Sequence, residues 1–362
     1  MTGPILDRVA RKGRGAVSNI TGRFESRSSE AADDGWDKEP QELAALQTTV
    51  LPEKAKSIIS RNQSPDISFS QSINPYRGCE HGCIYCYARP AHAYVNLSPG
   101  LDFETKLFYK ENAAGLLEQE LRKPGYECSM ISLGSNTDPY QPIERKLKVT
   151  RSILEVLDRY NHPVGIVTKG ATLLERDLDI LASMAKRNLA MVFISVASLN
   201  DDLKRTLEPR TSGPAARLRL MKQVAEAGIP VGTMFAPVIP FINDSEMEAV
   251  LEAARDAGAS WAGYVMLRLP HEVAPLFREW LTTHAPLKAE HVMSLVQQMR
   301  GGKDYSSEWG TRHRGEGAYA GMIAQRFQLA CKRLGLNRER RRLSTDLFLA
   351  PEKSGDQMKL FS

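Results

Sequence analysis

The chain has 362 residues, 42% hydrophobic and 25% charged, with 26 Gly, 20 Pro and 5 Cys; this is a globular composition, which excludes fibrous and low-complexity classes. No apolar run approaches the ~20 residues of a membrane helix, and the opening MTGPILDRVARKGRGAVSN lacks the apolar core of a secretory signal, so a cytoplasmic protein with no membrane attachment is expected. Net charge is +5, yet residues 300–342 hold eleven Lys or Arg against four Asp or Glu, a local +7 that leaves the remainder at −2; such a basic end suits a nucleic-acid partner or an ordinary solvated surface.

Residues 1–65 mix charge with Ser, Gly and Pro and read as an N-terminal extension, partly disordered, with short helical stretches at 41–46 and 53–59. Strands are predicted at 67–73, 130–134, 164–168, 191–196, 231–236 and 264–267. Between them apolar residues recur at helical spacing, as in Ile153, Leu154 and Leu157 or Leu174, Leu178 and Leu181. Six strand–helix alternations predict an α/β fold with a parallel sheet and right-handed crossovers, either open or a partial (β/α)6 TIM-type barrel. In both forms ligands gather at the carboxyl ends of the strands. A last helix at 319–334 puts Ile323, Phe327, Ala330 and Leu334 on one face, against the core. The organisation expected is an extension (1–65), a core barrel (66–285), a basic C-terminal helical segment (286–342) and a tail (343–362).

The most informative segment is Asn74-Pro-Tyr-Arg-Gly-Cys79-Glu-His-Gly-Cys83-Ile-Tyr-Cys86-Tyr87, directly after the first of the six strands. Three thiolates spaced C-x3-C-x2-C, on a loop where Gly78 and Gly82 permit unusual backbone angles, can wrap one face of an iron–sulfur cube. Cys128 and Cys331 are distant, so one iron would lack a protein thiolate and stay open to an external ligand. Open iron suggests chemistry more than electron storage. The alternative is a zinc site completed by His81 or His92, although structural zinc usually uses two CxxC-like pairs and a second pair is missing. Cys331, inside the last helix, reads as a core residue.

This spacing, with an aromatic residue before the last Cys, resembles the radical S-adenosylmethionine (SAM) superfamily. The resemblance implies a partial (β/α)6 barrel and a [4Fe–4S] cluster held by Cys79, Cys83 and Cys86. It also implies SAM at the fourth iron, an external electron donor, and cleavage of SAM to methionine and a 5′-deoxyadenosyl radical. Cys83-Ile-Tyr85-Cys86-Tyr87-Ala-Arg89-Pro90 resembles more closely the spore photoproduct lyase branch and its DNA repair photolyase-like relatives, and the likeness extends more weakly over residues 50–340. That branch implies Lys169 and Ser195, after the third and fourth strands, as SAM-binding residues, since both donate hydrogen bonds to a carboxylate. It implies Tyr85 and Tyr87 as catalytic tyrosines, and a lyase-type reaction on damaged or modified DNA.

One departure stands out. The branch carries a hydrogen-donating Cys after the second strand, where this chain has Ser135, whose O–H bond is far too strong for that role, so a related but different radical reaction is expected. Ser135 and Asp138 are expected to line the SAM or substrate pocket, with Tyr140 and Gln141 beside them. Trp309, Arg312, His313 and Arg314 could stack on and neutralise a nucleic-acid strand, or form a Gly-rich connector. At the end, Gln357-Met-Lys-Leu360-Phe361-Ser362 resembles the peptide by which bacterial repair proteins bind the DNA polymerase sliding clamp, Leu360 and Phe361 filling a pocket and Gln357 bonding at its rim. Two alternatives stand beside a DNA-directed enzyme: a radical SAM enzyme for a small molecule, protein or RNA, and a metal-binding scaffold recruited to the clamp.

Overall fold

The computed structural model describes residues 10–25, 46–339 and 341–352. Among these, ten strands form two sheets: β1 (Thr49–Glu53), β2 (Ile59–Arg61), β3 (Gln71–Ile73), β4 (Tyr76–Arg77), β5 (Lys106–Lys110), β6 (Ile131–Leu133), β7 (Val164–Thr168), β8 (Ala190–Ser195), β9 (Val231–Val238) and β10 (Trp261–Met266). The larger sheet has the order β10-β9-β8-β7-β6-β3-β2. Six neighbours, from β3 to β10, run parallel, and β2 is an antiparallel edge. No pairing among the described residues joins β10 to β2 or β3, so the barrel is partial and open.

Residue chemistry sets this arrangement. Val164 and Ile166 of β7 and Val192 and Ile194 of β8 are buried, as expected of parallel strands covered on both faces. The crossover helices turn their apolar stripes onto the sheet: Ile153, Leu154 and Leu157 from Val149–Arg159, and Leu181 and Met184 from Leu178–Lys186, all have zero exposure. The final helix, Gly317–Leu334, packs Ile323, Phe327 and Ala330 onto the same core, and Cys331 is buried with them.

One expectation fails. Residues 53–59 are not helical, because β1 is claimed by a five-residue parallel ladder with β5, and β2 by its pairing with β3; long-range ladders outweigh local helix propensity there. The first part of the tail packs on the fold: the Ser344 amide donates to the Asn188 carbonyl (2.9 Å), the Leu349 amide to that of Tyr160 (3.0 Å), and Phe348 packs beside Tyr126 and His162. Within the expected extension, Ala16 and Val17 are buried. The helical expectation at 41–45 and the peptide Gln357, Leu360 and Phe361 lie outside the described residues. No described helix is long and apolar enough to cross a membrane.

Candidate active site at the carboxyl ends of the strands

The three cysteines follow β3 on a loop clamped from several sides. The Cys79 amide donates to the Phe103 carbonyl (3.0 Å) and the Ile84 amide to that of Leu207 (3.1 Å). Gln141 straddles the loop: its Oε1 accepts from the Glu80 amide (2.9 Å) and its Nε2 donates to the Gly78 carbonyl (3.2 Å). Gly78 and Gly82 adopt φ of 76° and 67°, and a Cβ on Gly82 would lie 2.8 Å from the Glu104 carboxylate. Gly82→Ala is therefore expected to destabilise by about 1–2 kcal/mol from backbone conformation alone, with a further contribution from the contact. Denaturant unfolding together with iron retention would measure it.

Beneath the loop, Arg89 and Glu104 form an ion pair (2.5 Å) with no exposure on either side chain. Arg89 also donates to the carbonyls of Gly82, Cys83, Pro99 and Gly100. Glu104 accepts from the amides of Gly15 (3.0 Å) and Ala16 (2.9 Å), which brings the N-terminal segment against the cysteines. A Cβ on Gly15 would come 1.9 Å from the Gly82 carbonyl oxygen, so that approach needs glycine.

Cys79 and Cys83 are buried, Cys86 is partly so, and none is in a disulfide. Burial pushes all three thiols up, Cys83 to about 12; Asp138 and the other two cysteines add to this at Cys79 and Glu208 at Cys83, while Lys169 opposes it at Cys83 and Arg89 at Cys86. Unligated, they are protonated at neutral pH, and binding iron would release those protons. Among the described residues no three His, Cys, Asp or Glu side chains gather around one metal ion. Neither histidine of the zinc alternative joins such a group among the described residues. His81 Nδ1 faces Asp138 at 3.3 Å, while His92 is sunk against Phe103 with Nε2 on the Lys106 carbonyl (2.9 Å). A cube face suits the donors better, because each thiolate takes a different iron.

The residues expected around the cysteines converge at this end. Lys169 directly follows β7, with Nζ 5.8 Å from the Tyr85 ring centre. Burial works against its charge, but Cys83, Glu208 and Asp138 outweigh burial and hold the ammonium above its ordinary value. Ser195 ends β8 and is buried. Tyr85 is also buried and donates its hydroxyl to Glu208; burial, then Cys83 and Glu208, keeps it a phenol. Tyr87 is half-exposed, donates its hydroxyl to the Ser135 carbonyl, and has Arg268 over its ring at 5.1 Å.

Asp138 plays a different part from the one expected. Its Oδ1 accepts from Thr168 Oγ1 (2.7 Å) and the Tyr140 amide (2.9 Å), and its Oδ2 from the Lys169 amide (2.7 Å) and His81. These four partners fill a carboxylate's lone-pair sites. Although burial opposes ionisation, His81 and the other donors bring its pKa down to about 2. Asp138 thus braces β6, β7 and the cysteine loop from within, and its carboxylate has no direction left for a cofactor. Tyr140 and Gln141 are likewise interior. Arg312, expected either to meet nucleic acid or to belong to a Gly-rich connector, is ion-paired with Asp66 (2.5 Å), which ties the loop before β3 to the segment after β10 across the open side of the barrel and favours the connector. Trp309 remains exposed.

The sequence reading missed the buried pair Glu208–Arg217 (2.5 Å), although its position after β8 was a usable signal. Arg217 Nη1 donates to the Ser195 carbonyl (2.8 Å), so one network joins Tyr85, Glu208, Arg217 and the end of β8. It also missed Arg268, just beyond β10.

Comparison with known proteins settles the family. The Radical SAM superfamily model matches residues 73–254, from the end of β3 through β9 and into the helix that follows. The chain belongs to the radical SAM superfamily. Its members use a [4Fe–4S] cluster and SAM, and the donor set at the cysteine loop fits that cluster. An uncharacterized protein of Mycobacterium tuberculosis is 37% identical over 222 residues, which is 61% of this chain and 65% of that one. Another, from Methanocaldococcus jannaschii, is 28% identical over 197 residues, covering 54% of this chain and 70% of the relative. Among solved structures, a spore photoproduct lyase variant superposes with a TM-score of 0.60 and 14% identity over 87% of both chains. Spore photoproduct lyase complexed with dinucleoside spore photoproduct gives 0.57 and 14% identity, over 79% of this radical SAM chain and 80% of that one. At such identity the likeness is one of fold.

Proposed function

We propose that the protein is a radical SAM enzyme acting on damaged or modified DNA, in a reaction related to that of spore photoproduct lyase but distinct from it. The observation that carries this reading is the convergence of Cys79, Cys83, Cys86, Lys169, Ser195 and two tyrosines at one end of an open (β/α)6 barrel. Cys79, Cys83 and Cys86 hold the cluster, and when bound the cluster and SAM together supply a carbon-centred radical by one-electron cleavage. Lys169 and Ser195 bind the SAM carboxylate as hydrogen-bond donors. Asp138, through the Lys169 amide, fixes where that ammonium starts. Arg217 and Glu208 hold Tyr85 in place, and the buried surround keeps water from the radical.

Tyr87 faces the substrate. Among the described residues the remaining thiols are elsewhere: Cys128 precedes β6, at the opposite end of the sheet, and Cys331 is in the last helix. Ser135 therefore has no thiol neighbour to return a hydrogen atom, and the phenol of Tyr87 is the weaker O–H at that position. The DNA reading is supported by the basic segment 300–342 and by the shared fold with an enzyme solved on a dinucleoside lesion.

The test is anaerobic reconstitution, reduction with dithionite, and chromatography for 5′-deoxyadenosine with and without ultraviolet-damaged DNA. Cleavage stimulated by the damaged DNA is expected; cleavage indifferent to it would move the substrate to another class. Lys169→Met is expected to raise KM for SAM about tenfold or more, the worth of a hydrogen bond to a charged group, and an unchanged KM would remove Lys169 from the binding site. Deleting residues 357–362 is expected to abolish binding to a purified bacterial sliding clamp without altering SAM cleavage, with undiminished clamp affinity counting against the peptide.

A further inference from the structure

Two fully buried arginines of this site have carboxylate partners: Arg89 meets Glu104 and Arg217 meets Glu208, each at 2.5 Å. Two arginines that follow β10, Arg300 buried and Arg268 partly buried, do not. Arg300 is 4% exposed; it donates to the carbonyls of Thr311 (2.8 Å) and Leu267 (3.1 Å), and its Nε is buried without a partner. Arg268 donates to the Tyr305 hydroxyl (3.2 Å) and to His313 Nε2 (3.0 Å), lies over the rings of Tyr87 and Tyr305, and its Nε is also buried and unpartnered. Among the described residues neither guanidinium forms an ion pair. Burial, and then repulsion from Arg268, lowers the pKa of Arg300. His313 adds no further positive charge, being held neutral near pKa 4 by burial and by Arg268 and Arg312.

Beside this pair opens a cavity of about 530 Å³ lined by Arg300, Lys303, Tyr305, Ser306, Ser307 and Thr311, within the size range of ligand sites. Two exposed carboxylates, Glu308 and Glu316, also line it and balance Arg300 and Lys303, while Arg268, bonded to the Tyr305 hydroxyl of the wall (3.2 Å), adds a third cation behind it. A buried charge without a partner is costly, and a phosphate provides both the charge and the oxygens that guanidinium groups match. We propose that this cavity is a subsite for one phosphate group of the substrate, with Arg300 and Lys303 facing it, Ser306 and Ser307 as reaching donors, and Arg268 adding positive charge from behind Tyr305. Tyr305 belongs to the cavity wall and bonds to Arg268, which covers Tyr87. A ligand held here by its phosphate lies across Tyr305 and Arg268 from Tyr87 and the cluster loop. The inference rests on the nucleic-acid reading above, and it names the group that is gripped.

The test uses the reconstituted full chain and three probes: a fluorescein-labelled ten-nucleotide thymidine oligomer followed by anisotropy, with dTMP and inorganic phosphate as competitors. Arg268→Gln, Arg300→Met and Lys303→Glu are each expected to weaken oligomer binding about tenfold, and loss of a cation to reduce the salt dependence by about one unit of log–log slope. Should Arg300→Met fail to fold, because its carbonyl bonds hold the 300–311 loop, the other two variants decide. Competition by dTMP as effective as by unlabelled oligomer would assign the subsite to a mononucleotide phosphate. If oligomer binding is equal in wild type and variants, the subsite is wrong while the nucleic-acid reading stands. If dTMP and phosphate bind and are weakened but the oligomer does not bind, the subsite stands and the DNA reading falls. Failure of every probe to bind the wild type overturns both.

Discussion

Cys83→Ala is expected to strip the protein of its cluster and of SAM cleavage while leaving the sheet folded. Each cysteine of a three-thiolate site holds one iron, so two remaining thiolates leave half of a cube without protein ligands. The structural cost is small by comparison. Cys83 sits among Ile84, Tyr85, Leu101 and Leu207, and removing one buried sulfur costs about 1 kcal/mol in packing. Iron content should fall from about four per chain to below about one, 5′-deoxyadenosine should disappear, and the circular dichroism melt should shift by only a few degrees. Retained cleavage would show that the cluster is held elsewhere.

Arg89→Ala is expected to have the largest effect on stability of any single change near the site. It removes five hydrogen bonds and leaves the Glu104 side chain without its counter-ion in a space without exposure, where breaking a buried pair costs about 3–5 kcal/mol. The damage should be local before it is global, because Arg89 bonds the carbonyls of Gly82 and Cys83 directly. Iron should be lost at denaturant concentrations that leave the far-ultraviolet signal intact. The double variant Arg89→Met with Glu104→Gln should recover part of the stability, since it removes the orphaned charge. If the single and double variants unfold alike, the ion pair is not what holds the loop.

The parallel core was legible because its signals are local: Val164–Thr168 is both the predicted and the observed strand, and Ile153, Leu154 and Leu157 announce a buried helix face. The cysteine motif was legible for the same reason, with three cysteines and two glycines inside a dozen residues. What escaped depends on distant partners. Glu104 receives the amides of Gly15 and Ala16 from nearly ninety residues away, and nothing in the composition of residues 1–65 signals that its glycines are needed for close approach. The ladder of β1 with β5 and the pairing of Arg312 with Asp66 are long-range in the same way. Asp138 was rightly located but wrongly employed: a strand-end position tells where a carboxylate is, whereas its four hydrogen-bond donors come from three separate segments of the fold.

The N-terminal segment that closes over the cysteine loop is itself anchored late in the chain. Ser18 donates to Glu279 (2.6 Å) and the Arg23 amide to Glu272 (3.0 Å). On a ribosome adding roughly 5–20 residues per second, Cys86 emerges about 10–40 s before those anchors exist. During that interval the three thiols are open to iron donors and to oxidants alike. Afterwards the anchored segment packs against the loop through Gly15 and Ala16, so iron delivered during synthesis meets more accessible thiols than iron delivered to the finished chain.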